Sequence, residues 1–193
     1  MRKTMFATAA LAALVGTATV AGAQSLPIPL SLEGRVDAAF PMGDFGDEAD
    51  TGVGYGVSAA LGVAPGFGVY GSYSHTRFGQ GPGSTGTPDA TDSGFSVGVT
   101  AAIPSGGMGM APWVGGGLVF HQLQLGGNGS GIEEEMGFEV GGGVAVGVAP
   151  GVRLTPGVGY RRYAATVPVL GDVVQRDLTV QYLTLGVGLN IAF

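Results

Sequence analysis

The chain has 193 residues, 39 of them glycine, with no cysteine, a formal charge of −6 and a mean hydropathy of +0.37. The missing cysteine excludes a disulfide framework, a thiolate metal site and lipid attachment through sulfur. The acidic balance excludes a nucleic-acid binder, which needs a basic face, and the lack of a Gly-X-Y period excludes collagen.

Arg2 and Lys3 precede an apolar run from Met5 to Val20, and Ala21-Gly22-Ala23 follows it. A basic start, a short apolar stretch and a small-residue cleavage site predict a secretory signal peptide over 1–23, with one domain over 24–193. Cleavage leaves six arginines against fourteen acids, a charge of −8. Past that leader no apolar run reaches the roughly 18 residues of a membrane helix. A chain this apolar must then hide its oily surface in alternating strands.

The first predicted strand, Leu30 to Phe40, alternates Leu30, Leu32, Val36 and Phe40 with Ser31, Glu33, Arg35 and Asp37. A loop rich in Asp and Gly follows from Met42 to Thr51. The second strand sets Val53, Tyr55, Val57, Leu61 and Val63 against glycine, serine and alanine. Ala64-Pro65-Gly66 then reads as a type II turn, with Pro fixing φ and Gly supplying φ > 0. The third strand, Phe67 to Phe78, turns Phe67, Val69 and Tyr73 outward. After a Gly/Pro/Ser/Thr loop (79–90), the fourth carries Phe95, Val97, Val99 and Ile103 on one face.

A turn over Pro104 to Pro112 leads to the fifth strand, Trp113 to Leu125, with Val114, Leu118 and Phe120 outward. A third loop runs from Gly126 to Glu134. The sixth strand sets Met136, Phe138, Val140, Val144, Val146 and Val148 against Glu139 and glycines, and Ala149-Pro150-Gly151 repeats the tight turn. The seventh strand is expected over Val152 to Tyr163, with a bulge at Pro156, which cannot donate to a ladder. A fourth loop, Ala164 to Asp177, precedes the closing strand, Leu178 to Phe193. There Leu183, Leu185, Val187, Leu189 and Ile191 alternate with Tyr182, Thr184, Gly186, Gly188 and Asn190. That period of two exceeds the 9–11 residues a tilted strand needs to cross a bilayer.

Eight strands with short turns at one end and long loops at the other predict an all-β, antiparallel, up-and-down transmembrane β-barrel. With the N-terminus placed in the periplasm, Phe40, Tyr55, Tyr73, Phe95, Phe120, Phe138 and Tyr160 form an expected aromatic girdle near the loops. Trp113, with Phe67 and Phe193, is assigned to the opposite rim. The chain resembles the small eight-stranded outer-membrane barrels, the family of the OmpA transmembrane domain and OmpX. The resemblance rests above all on Tyr182-Leu183-Thr184-Leu185-Gly186-Val187-Gly188-Leu189-Asn190-Ile191-Ala192-Phe193. It is similar to the C-terminal signal read by the barrel-assembly machinery, which implies that machinery as a partner and Tyr182, Leu185, Val187, Leu189, Ile191 and Phe193 as signal residues. It also implies a bacterial outer-membrane location, contact with membrane lipid and lipopolysaccharide, a monomer, and no peptidoglycan-binding domain.

Inside such a barrel the parity gathers Glu33, Arg35, Asp37, Glu139, Arg153 and Arg161, three acids and three arginines. Eight strands enclose little more than their own side chains, and buried charges must pair. Two readings stand: a neutral salt-bridge plug, or a narrow channel favoured by the many inward glycines. Acids are expected at the loop rim: Asp44, Asp47, Glu48, Asp50, Asp89, Asp92, Glu133 to Glu135, Asp172 and Asp177. The first loop lacks the spacing of a calcium site, and no metal or cofactor is expected. Neither His75 nor His121 has an acid at a defined spacing, so no enzyme is expected. The leading function is a structural or interaction barrel presenting acidic loops; the alternative is a small channel or a carrier of apolar ligands.

Overall fold

Every segment of period two forms a strand, and each strand pairs antiparallel with its sequence neighbour. The computed structural model describes residues 29–80, 90–103, 109–125, 135–169 and 174–193. The strands are β1 (Leu30–Pro41), β2 (Ala49–Ala64), β3 (Phe67–Gln80), β4 (Ala90–Ala102), β5 (Met110–Leu125), β6 (Glu135–Ala149), β7 (Val152–Val169) and β8 (Val174–Ala192). Pairing of β8 with β1 closes the barrel. The expected signal peptide 1–23, most of the second loop, all of the third, and Asp89, Glu133, Glu134 and Asp172 lie outside the described residues.

The register fixes the barrel's shape. Stepping from partner to partner, Leu30 leads through Leu61, Val69, Val99, Gly116, Val140, Tyr160 and Leu183 back to β1 at Phe40. The return lies ten residues from the start, a shear that tilts the strands by roughly 40° at ordinary strand spacing. Gly66 (φ 78°) and Gly151 (φ 73°) adopt the left-handed backbone expected of the two Ala-Pro-Gly turns.

The outer wall is apolar all round, with Val53, Val57, Val99, Val114, Leu118, Val140, Val158, Leu185 and Leu189 among its exposed residues. Several large inward side chains lie over glycines one or two strands away. A Cβ at Gly188 would meet Glu33, one at Gly186 would meet Asp37, and ones at Gly98 and Gly117 would meet Tyr70. These four inward glycines are therefore seats for neighbouring side chains rather than empty space.

Three expectations about the elements need correction. The first loop contains a short helix, α1 (Gly43–Glu48), whose Phe45 is buried. It folds inward because Phe45 finds an apolar pocket that local composition does not announce. β7 and β8 pair as far as Val169 with Val174, so most of the expected fourth loop is hairpin. No bulge occurs at Pro156: Gly143–Gly157 and Val146–Leu154 keep one register, and the ladder merely opens between them. The missing N–H costs a rung without adding a residue. The irregularity falls instead between Gly147 and Ala149, at the turn.

Candidate functional site

The candidate site is the lumen, built in layers from the turn end to the loop end. Glu33, Arg35 and Asp37 occupy alternate positions of β1, which puts all three on one face. Arg35 sits between the acids, with Nη2 2.9 Å from Asp37 Oδ1 and Nη1 3.3 Å from Glu33 Oε1. The next layer is a directly opposed cross-strand pair, Glu139 on β6 and Arg161 on β7. Arg161 donates to Glu139 Oε2 from Nε (3.2 Å) and Nη2 (2.7 Å), and Tyr70 donates its hydroxyl proton to Glu139 Oε1 at 2.7 Å. Arg161 Nη1 also donates to Ser74 Oγ (3.0 Å) and Tyr182 Oη (2.8 Å).

Above this lies a layer that no charge count of the sequence singles out. Asp92 is fully buried and accepts from His121 Nδ1 at 2.7 Å, Tyr163 Oη at 2.9 Å and the Tyr182 hydroxyl. Three donors satisfy a carboxylate that would otherwise be expensive to bury. Beyond it the lumen is closed by an apolar stopper. Phe45 meets Phe78 edge-on at 5.1 Å, and Phe78 meets Tyr182 at 5.2 Å. Leu123, Val119, Val180 and Leu178 complete this buried core. The Met42 backbone N–H donates to Gln181 O, tying the start of α1 to β8.

The opposite half is hollow. A cavity of about 850 Å³ runs from Pro29, Pro65 and Ala192 at the turn end inward past Tyr70 and Trp113 to Ser74 and Arg161. Its wall includes two buried polar atoms without a hydrogen-bond partner among the described residues, Trp113 Nε1 and Thr155 Oγ1.

The register places the sequence-derived residues as follows. Phe40, Tyr55, Tyr73, Phe95, Phe120, Phe138 and Tyr160 lie on the outer face, with ring contacts Tyr73–Phe95 at 5.2 Å and Phe138–Tyr160 at 6.0 Å. Leu185, Val187, Leu189, Ile191 and Phe193 are exposed on the outside, whereas Tyr182 points inward and is fully buried. Trp113 does not join an outer rim: it shares the inward parity of β5 and lines the cavity, because Val114 and Leu118 take the outer positions. Arg153 does not join the ion-pair network. It faces the turn-end mouth, exposed, and makes no ion pair among the described residues. Asp92 leaves the expected acidic rim for the interior, and it is the acid that His121 had lacked. Asp44, Asp47 and Asp50 are exposed beside the loop end.

No family model and no curated protein matches the chain. Solved structures do. Neisserial surface protein A aligns with a TM-score of 0.64 at 18% identity, covering 86% of this chain and 97% of that one. The chain has the fold of the small outer-membrane barrels. Outer membrane protein AlkL matches with a TM-score of 0.55 at 16% identity, covering 90% and 95% of the two chains. OprG from Pseudomonas aeruginosa matches at 0.54 and 12% identity, covering 85% and 95%.

Proposed function

We propose that this barrel sits in a bacterial outer membrane as a structural or interaction protein, holding an acidic surface outside while sealing its own lumen. The support for the location is the apolar outer wall, far larger than the exposed patches a soluble monomer tolerates, on strands of 12 to 19 residues. The assembly machinery would read the closing strand through Phe193, and lipid and lipopolysaccharide would contact the wall and its aromatic girdle. The chain would work as a monomer, since a closed barrel leaves no strand edge to share.

The observation that carries the sealed reading is the unbroken sequence of fillers across the loop half: Glu139–Arg161, the Asp92 cluster, then Phe45, Phe78 and Tyr182. Reconstitution in planar bilayers tests it. The expected record is flat, and steady single-channel openings would favour the channel instead. Fractionation tests the location: recovery in the outer membrane with heat-dependent gel migration is expected, and recovery as a soluble periplasmic protein would overturn it.

A second reading has its own support. The turn-half cavity is large enough for a small ligand and is closed at its far end. A ligand there would be held rather than passed through.

A further inference from the structure

At the blind end of that cavity three side chains from three strands meet in a specific order. His121 Nδ1 lies 2.7 Å from Asp92 Oδ1, and His121 Nε2 lies 3.5 Å from Ser74 Oγ. The carboxylate on Nδ1 selects the tautomer that leaves Nε2 free to accept a proton. Asp92 is itself held by the Tyr163 and Tyr182 hydroxyls, so it has little freedom to swing away. Of the three, His121 and Asp92 are fully buried, whereas Ser74 is half-buried and lines the cavity.

The register explains how a histidine two strands away reaches the serine. Ser74 on β3 is opposed by Gly94 on β4, and Gly94 is opposed by His121 on β5. With no side chain at Gly94, the imidazole lies across the intervening strand; a Cβ there would stand 2.7 Å from His121 Cδ2. Asp92, two residues along β4 on the same inward face, meets the other ring nitrogen. A nucleophile, a base within reach of it and an acid orienting the base form the arrangement that activates a hydroxyl, and such contacts are commonly loose before substrate binds.

We infer that Ser74, His121 and Asp92 form a nucleophilic relay at the inner end of the lumen cavity that cleaves small carboxylic esters entering from the turn end. This goes beyond the anchoring role and does not depend on it. Ser74 Oγ attacks the carbonyl carbon, and its proton passes to His121 Nε2. The oxyanion forms next to Arg161 Nη1, which stands 3.0 Å from Ser74 Oγ and can donate to it. Collapse of the tetrahedral adduct breaks the ester C–O bond, and His121 returns the proton to the departing alkoxide. Water then attacks the acyl-serine and gives its proton to His121. Collapse releases the carboxylic acid, and the proton returns to Ser74. The substrate is small, because Tyr70, Trp113, Arg35 and Glu139 share the lining of a cavity of about 850 Å³.

The test is covalent capture. The folded full chain in detergent is treated with phenylmethylsulfonyl fluoride, a small serine-directed probe, and intact mass and peptide mapping locate the adduct. One adduct at Ser74 is expected. Ser72→Ala, a neighbouring inward serine, should keep it, and Ser74→Ala should abolish it. His121→Gln should slow labelling at least tenfold. If His121→Gln fails to fold, Asp92→Asn, which keeps the size of the side chain, serves the same purpose. Turnover of p-nitrophenyl acetate should follow the same order. No adduct on the folded wild-type barrel, or labelling that ignores His121 and Asp92, would overturn the relay and leave these residues as filling.

Discussion

The two halves of the lumen are built by opposite rules, although one set of strands forms both. In the loop half each inward position is filled: Phe78, Leu123, Val119, Tyr163 and Tyr182 are almost wholly buried, and α1 inserts Phe45 from above. In the turn half glycine, alanine, serine and threonine take many of the inward positions between Glu33, Arg35, Tyr70 and Trp113, and a cavity of about 850 Å³ remains. The boundary between the halves is the Glu139–Arg161 pair with Tyr70 and Ser74. Barrel diameter is set by strand number and shear and is shared by the two halves. Side-chain volume therefore decides which half is solid.

The largest way to break this arrangement is to orphan a charge at the boundary. Glu139→Ala leaves Arg161 without its carboxylate and the Tyr70 hydroxyl without its acceptor. A loss of about 3–5 kcal/mol is expected, the cost of stranding one member of a buried pair. Adding Arg161→Met should recover much of it, because the stranded charge goes too. Denaturant unfolding in lipid measures both variants. A loss under about 1 kcal/mol would place the pair in solvent rather than in a packed boundary.

Phe45→Ala attacks the stopper itself. Large-to-small changes at a buried ring cost about 3–5 kcal/mol, and the short α1 can settle into the space, so about 3 kcal/mol is expected. The same variant should admit water to the Asp92 layer, seen as faster amide exchange on β3 and β8 around Phe78 and Tyr182. Unchanged exchange would mean that α1 is not the seal.

How far the sequence foretells these halves depends on which coordinate is asked of it. Facing is legible: a period of two assigns inside and outside for β1, β2, β4, β6 and β8. Height is not, because it follows from the shear, and no local pattern carries a ten-residue offset. For that reason Asp92 reads as a rim acid and His121 as unpartnered. They are 29 residues apart and meet only through the β4–β5 register. Arg153 has the inward parity of a network member, yet it stands opposite Gly147 on the β6–β7 ladder, eight residues along β6 from Glu139. Trp113 misleads differently, since an aromatic near a strand end is as suited to a rim as to a cavity wall. Phe45 is hidden among glycine and aspartate, and only the pocket formed by Phe78 and Tyr182 turns that segment into α1.

The smallest effects belong to the hollow half and sharpen the contrast. Thr155 is buried with its hydroxyl unpartnered among the described residues. With cavity water at hand to serve that hydroxyl, Thr155→Val should change stability by no more than about 0.5 kcal/mol. A gain well above that would show a dry cavity. Arg153→Ala, at the open mouth, should leave the unfolding midpoint where it was.

The central claim, a solid loop half and an open turn half, is tested most directly by chemical accessibility. The chain has no native cysteine, so a single engineered thiol reports its own position. Ala60→Cys lies on the cavity wall and Val119→Cys within the fully buried core. In the folded barrel a small water-soluble maleimide should modify Ala60→Cys readily and Val119→Cys only after unfolding. Equal rates at the two positions would contradict the account.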